Sequence, residues 1–179
     1  MNNEVNALQY KICESPMGYI LIAGSDVALH FASIRDDIAS LLNDFLVHFP
    51  DAVRGDNHPL LKLAEAQLNE YVLGKRREFD LPLHLDGSEF QRSVWKEISK
   101  IPYGKTSTYS DLAKTIGKPK SYRAVANACG DNPIGLIIPC HRILRSNGEL
   151  GGYSGGGIAK KRLLLDMENA RASVVKNAA

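Results

Sequence analysis

Late in the chain a cysteine and a histidine stand side by side, Cys140-His141, followed by Arg142 and enclosed by Ile137-Ile138-Pro139 and Ile143-Leu144. Apolar runs of this kind enter a core, so a polar triplet between them lies at the floor of a pocket rather than on an open face. A free thiol ionises near pH ~8.5, and an imidazole held by a carboxylate can take its proton and leave a thiolate nucleophile. A cysteine hydrolase and a group-transfer protein both use such a pair, and the pair alone does not choose between them.

The surrounding elements read as helical. Ser88 stands three residues before Gln91, a capping box that opens a helix with Phe90, Val94, Trp95, Ile98 and Ile101 inward and Pro102-Tyr103-Gly104 at its end. Thr108-Tyr109-Ser110-Asp111 repeats the signature for a short helix with Leu112 and Ile116 inward, closed by Gly117. Lys118-Pro119-Lys120 turns the chain into a third helix, about residues 121–129, which carries Arg123 in its first turn and stops at Gly130-Asp131-Asn132-Pro133. Helix, tight turn, helix is the outline of a DNA-reading element, and also of helical hairpins that never touch DNA.

The first half has a different pattern. Short apolar runs around Ile12, Ile20 to Ile22 and Val27 to Phe31, separated by Pro16-Met17-Gly18 and Gly24-Ser25-Asp26, predict a small antiparallel meander. Ile38, Leu41, Leu42, Phe45 and Phe49 recur at helical spacing, as do Leu61, Ala64, Leu68, Tyr71 and Val72 before Gly74, so two amphipathic helices cover the sheet. Phe79, Leu81, Leu83 and Leu85 alternate as a strand or extended linker. The expected domains are therefore residues 1–85, an α/β unit, and residues 86–179, a mainly helical unit.

A net charge of +2 hides an asymmetry: residues 1–85 hold 7 basic and 12 acidic side chains (−5), and the remainder 15 and 8 (+7). A basic second half suits a polyanion partner, although solvated lysines on helix surfaces give the same count. The 3 cysteines, Cys13, Cys129 and Cys140, are odd in number and widely spaced, against a disulfide framework. Cys13 and Cys129 read as small buried hydrophobes with no adjacent histidine. No stretch reads as a membrane span, and Met1-Asn2-Asn3-Glu4 does not begin a secretory signal, so a reduced, cytoplasmic protein is expected.

Taken in order, Tyr71-Val72-Leu73-Gly74-Lys75-Arg76, Phe90-Gln91 with Val94-Trp95, Arg123-Ala124-Val125, Asn132-Pro133, Ile137-Ile138-Pro139-Cys140-His141-Arg142-Ile143 and Gly152-Tyr153-Ser154-Gly155-Gly156 resemble the O6-alkylguanine-DNA alkyltransferase (methylated-DNA-protein-cysteine methyltransferase) family over nearly the whole chain. The resemblance implies an N-terminal ribonuclease-H-like domain, an antiparallel sheet with helices, and a mainly α C-terminal domain with a winged helix-turn-helix-like DNA-binding element. It implies irreversible, single-turnover transfer of the alkyl group from O6-alkylguanine in double-stranded DNA to Cys140, with O4-alkylthymine as a second candidate substrate and no cofactor. A monomer is expected.

The family's residues carry over by position. A Cys-His-water-Glu relay would be Cys140, His141 and Glu168, with Asn132 orienting it. Arg123 would fill the stack left by a flipped nucleotide, while Tyr109 pushes the 3′ phosphate and then bonds the purine. Ser121, Ala124 and Ala126 would lie on the helix entering the minor groove, where small side chains permit close approach. Tyr122, before Arg123, is either a phosphate contact or core packing. Tyr109 and Ser154 would donate to the departing purine, the Cys140 and Ile143 carbonyls would accept from its amine, and Tyr153 would line the same pocket. Gly135 stands where some relatives are bulkier, which predicts room for alkyl groups larger than methyl. Two departures stand out: an extra glycine between Ser154 and the last helix, which leaves the alignment of Glu168 dependent on a one-residue gap, and Leu163 in place of a frequent tryptophan. Relatives with an N-terminal zinc use cysteines where this chain has Asn6 and Ser25, so no metal is expected.

Overall fold

The computed structural model describes residues 7–168, and the chain parts into two compact units between His84 and Leu85. Asn6 and the first four residues lie outside the described range.

In the first unit β1 (Gln9–Ser15), β2 (Gly18–Gly24) and β3 (Leu29–Arg35) form the antiparallel meander, with Cys13 opposite Ile20 and Ile22 opposite Ala32. After α1 (Ile38–His48), a two-residue strand β4 (Val53–Arg54) pairs parallel with β1, giving the order β3-β2-β1-β4. Two exposed residues carry no alternation, so β4 is invisible to pattern reading. Ile20, Leu21, Ile22 and Ala23 are all buried, because the period of two sends alternate side chains to opposite faces and both faces are covered. Leu21 and Ala23 pack with Leu41 and Phe45 of α1. The other helix, α2 (Pro59–Val72), begins with proline at its first position and buries Leu61, Ala64, Leu68 and Tyr71 against β1 and β2. The segment from Phe79 is a linker: Asp80 exchanges two hydrogen bonds with the Gln67 side chain of α2, and Leu29 donates to the Pro82 carbonyl and accepts from His84.

The second unit starts with α3 (Glu89–Ile98), whose Ser88 and Gln91 make both bonds of the capping box. Trp95 is fully buried and its indole donates to the Ala128 carbonyl at 2.7 Å, tying α3 to α5 (Tyr122–Gly130). Between them, β5 (Ser107–Thr108) leads into α4 (Tyr109–Thr115). Thr108 caps this helix by accepting from the Asp111 amide, but its hydroxyl donates to the Asp111 carboxylate, so the reciprocal backbone bond of a full box is not made. Gly117, at φ +73°, closes α4 and sends the chain into α5, the helix-turn-helix. The third helix begins at Tyr122 rather than Ser121, and Ser121 makes no side-chain cap. A 3-10 turn, Cys140–Arg142, runs into β6 (Ile143–Leu144), which pairs parallel with β5 and sets Cys140 beside the start of α4. The last helix, α6 (Gly157–Met167), faces inward with Lys160, Lys161, Leu164 and Leu165. No described helix is long and apolar enough to cross a membrane.

Candidate active site

Cys140 sits at the floor of a cavity of about 850 Å³ whose walls include Tyr109, Arg123, Ala126, Cys129, Tyr153 and Ser154. Chain order explains the convergence. The β5–β6 pair brings Tyr109 to the thiol, α5 supplies Arg123 and Ala126, and the glycine-rich loop before α6 supplies Tyr153 and Ser154. Gly151 has φ +67° and lies where a side chain would strike the Tyr109 hydroxyl, so glycine lets the loop close over that ring.

The thiol is 5 % exposed. Burial pushes its pKa up, opposed by a hydrogen bond from Asn132 and by the positive charge of Lys161. Asn132 is well placed for that bond: its amide nitrogen lies 2.8 Å from the Ile138 carbonyl and 3.2 Å from Cys140 Sγ, and its oxygen accepts from the Ile134 amide. Between Asn132 and Cys140 the chain turns at Leu136, a buried non-glycine residue at φ +68°.

Behind the thiol, His141 Nε2 meets Glu168 Oε1 at 3.0 Å, both side chains 0 % exposed. At the start of α6 Gly156 and Gly157 take φ of +103° and +81°, and at the other end of that helix Glu168 lies within direct hydrogen-bond distance of the imidazole. Burial lowers the His141 pKa against the pull of Glu168. For Glu168 burial acts upward, but the hydrogen bonds from His141 and Arg142 outweigh it and hold the carboxyl well below the usual carboxylate range.

Two buried cations complete the site, and sequence reasoning assigned neither. Arg142 grips Glu168 with two parallel bonds, and Lys161, fully buried, donates to the Ile143 carbonyl at 2.6 Å and the Gly152 carbonyl at 3.2 Å. Burial lowers the Lys161 pKa to about 8. The signal for Lys161 was present: it lies seven residues before Glu168, two helical turns along the same face. Burial likewise raises the Tyr109 pKa to about 12, which keeps its hydroxyl a proton donor.

The other expected residues differ in where they fall. Ile143 is fully buried and its carbonyl already accepts from Lys161, leaving one lone pair for a ligand. Ala124 on α5 and Ser121 just before it stand beside the cavity-lining residues without lining the cavity themselves. Gly135 is not among the lining residues either. Tyr122 is 45 % exposed beside the Arg123 guanidinium, which removes the core-packing alternative. Leu163 is exposed on α6. Among the described residues no group of three or more histidine, cysteine, aspartate or glutamate side chains could hold a metal ion.

Fold and site together define a thiol-centred group-transfer protein built on a helix-turn-helix frame. Residues 8–85 match the ribonuclease-like domain, and residues 89–170 the DNA-binding domain, of 6-O-methylguanine DNA methyltransferase, and the chain belongs to that family. It is 39 % identical over 163 residues to the methylated-DNA--protein-cysteine methyltransferase of Methanosarcina acetivorans, covering 91 % of this chain and 99 % of that one. The Mycobacterium tuberculosis (H37Rv) protein of the same name is 39 % identical, covering 92 % and 94 %. Among solved structures, M. tuberculosis OGT in complex with DNA superposes with a TM-score of 0.79 at 37 % identity, covering 91 % and 94 %. An O6-methylguanine DNA methyltransferase from Methanococcus jannaschii gives 0.62 at 32 %, covering 89 % and 93 %.

Proposed function

We propose that this protein repairs O6-alkylguanine in double-stranded DNA by direct reversal, moving the alkyl group irreversibly to Cys140. The observation that carries the reading is a buried thiol, backed by a His141–Glu168 pair, at the floor of the cavity that Arg123 and Tyr109 of the helix-turn-helix also line. In the reaction Cys140 Sγ bonds to the alkyl carbon as the carbon–O6 bond breaks and the electron pair stays on the purine. The thiol loses one proton and the released guanine gains one, so the site must accept a proton behind the sulfur and supply one at the base. With Nε2–H directed at Glu168, the basic nitrogen of His141 is Nδ1, and it takes the thiol proton. The Tyr109 hydroxyl and Ser154 stabilise the purine as its charge develops.

The alkylated oxygen is out of reach inside a duplex, so the nucleotide must leave the stack at a cost of a few kcal/mol. Arg123, at the exposed start of α5, fills the gap, and Tyr122 adds a phosphate contact. Ala124, Ala126 and Ser121 let α5 approach the minor groove closely. Every group needed comes from one chain, so a monomer suffices. A reaction that depends on a free thiol suits a reducing compartment such as the cytoplasm.

Intact-mass measurement and peptide mapping after incubation with a duplex holding one O6-methylguanine test the reading, with an O4-methylthymine duplex in parallel. One methyl group on Cys140, with guanine restored, is expected. Tight binding without methyl transfer would make the protein a damage sensor instead, and turnover of an ester substrate would make it a hydrolase.

A further inference from the structure

Arg142 is one of the most heavily bonded side chains in the site, and the relay just described gives it no task. Its Nε lies 2.9 Å from Glu168 Oε2 and its Nη2 2.9 Å from Oε1, while Nη1 donates to the Ile101 carbonyl at 2.5 Å. Both side chains are removed from solvent, at 6 % and 0 % exposure. The Gly104 amide adds a bond to Oε2 at 3.2 Å. Glu168 is thus fixed in position and plane from the loop after α3 and from the turn that carries the nucleophile, and His141 takes its orientation from Oε1.

We infer that Arg142 is a positioning residue for alkyl transfer: its fork fixes Glu168 and shares its charge, so that His141 is held neutral with Nδ1 as its base. This rests on the reading of Cys140 as the alkyl acceptor. A full carboxylate beside a buried imidazole would bind an extra proton across the Glu168–His141 pair and hold it, turning the base into a standing imidazolium. A guanidinium on the same carboxylate opposes that, and a planar two-point fork does so in a fixed geometry that an ammonium cannot copy. The proton that His141 takes from Cys140 is then held loosely and can be passed on. The charges acting on His141 are Glu168 and Lys161 from α6 and Arg142 beside it, and the Tyr153 ring meets the imidazole edge-on. From α3, which also packs against this turn, Val94, Trp95 and Ile98 are buried and uncharged.

The test compares Arg142→Lys, which keeps the charge and loses the fork, with Arg142→Met, which loses both. Two readouts are taken on the full chain: the single-turnover rate on an O6-methylguanine duplex as a function of pH, and nitrogen NMR of the His141 ring without DNA. Arg142→Lys is expected to slow transfer several-fold with the acid limb of the profile in place. Arg142→Met is expected to move that limb to higher pH, with His141 protonated at a pH where the wild-type ring is neutral. A profile for Arg142→Met that keeps the wild-type midpoint and only loses amplitude would reduce Arg142 to packing, as would a wild-type ring whose proton sits on Nδ1. Should Arg142→Met not fold, a midpoint shift in Arg142→Lys equal to a full loss of the charge would overturn the inference just as well. The NMR readout needs no alkyl transfer, so failure of the wild type to take up methyl would count against the function and leave this inference to stand or fall on the ring.

Discussion

Cys13 in the first unit and Cys140 in the second are almost equally removed from solvent, at 4 % and 5 % exposure, yet only one of them is placed for chemistry. Burial raises both thiols. Cys13 reaches about 12, with the charge and hydrogen bond of Glu65 adding to the effect and Lys11 opposing it. Resting acidity therefore does not separate them. What separates them is what each thiol can reach: Cys13 faces a carboxylate already paired with Lys11 at 2.6 Å, inside a closed sheet-helix contact. Cys140 has an amide donor, a neutral imidazole with a fixed carboxylate behind it, and an open cavity in front. A reactive cysteine here is a thiol with somewhere to send its proton and something to attack, rather than one ionised in advance.

The sharpest way to break the comparison is Cys140→Ala. It is expected to abolish methyl uptake while Cys13 and Cys129 stay unmodified in the wild type and in the variant. A methyl group mapped to Cys13 in either protein would show that the cavity and relay are not what select the thiol.

Glu168→Gln follows in size. It removes the charge that orients His141 and leaves Arg142 buried without its partner, so transfer should slow by about 10²–10⁴-fold and stability fall by about 3–5 kcal/mol. The same carboxylate gives the fold an acid limit. Its folded pKa is depressed, so its contribution is present above the unfolded value of about 4.3 and is lost as pH falls towards the folded one. The stability gap between wild type and Glu168→Gln in denaturant melts should narrow from neutral pH to pH ~3, and a gap of constant size would mean that ionisation of Glu168 adds nothing to stability.

Lys161 sets an alkaline limit. It stays charged up to about pH 8, and its charge opposes the burial of the thiol, so the transfer rate should decline above that pH. Lys161→Arg, charged throughout, should move the decline upward by a unit or more. An identical limb in both proteins would assign it to another group.

Much of this was legible in the sequence. The meander, the two covering helices, the helix-turn-helix and the Cys140-His141 pair all rest on local patterns and all form, although the third strand begins at Leu29 rather than Val27 and runs on to Arg35. The parts that were not legible depend on tertiary partners. β4 has two exposed residues and exists because β1 offers it an edge. Asp111 turns to the Thr108 hydroxyl instead of the backbone, a choice between two nearby donors that spacing does not decide. Arg142 read as one polar residue in a triplet, because the carboxylate that gives it a purpose is 26 residues away and reaches it only through the turn into α6. Lys161 drew no role from the sequence, although its helical register with Glu168 puts it inside.

The smallest effect is expected at Cys13, and it sharpens the contrast from the other side. Cys13→Ala removes one sulfur from the contact between β1 and α2 and leaves the Lys11–Glu65 pair in place. The loss should be about 1 kcal/mol, from the small volume removed, which in a domain of this size lowers the melting temperature by a few degrees. Methyl transfer should proceed at the wild-type rate, since the thiol lies in the unit that holds none of the reacting groups. A loss several-fold larger would mean that the hydrogen bond to Glu65, rather than volume, holds the thiol there. In that case the half-buried Lys11–Glu65 pair and Cys13 would form a polar network of the sheet, and the likeness between the two cysteines would extend to having polar partners.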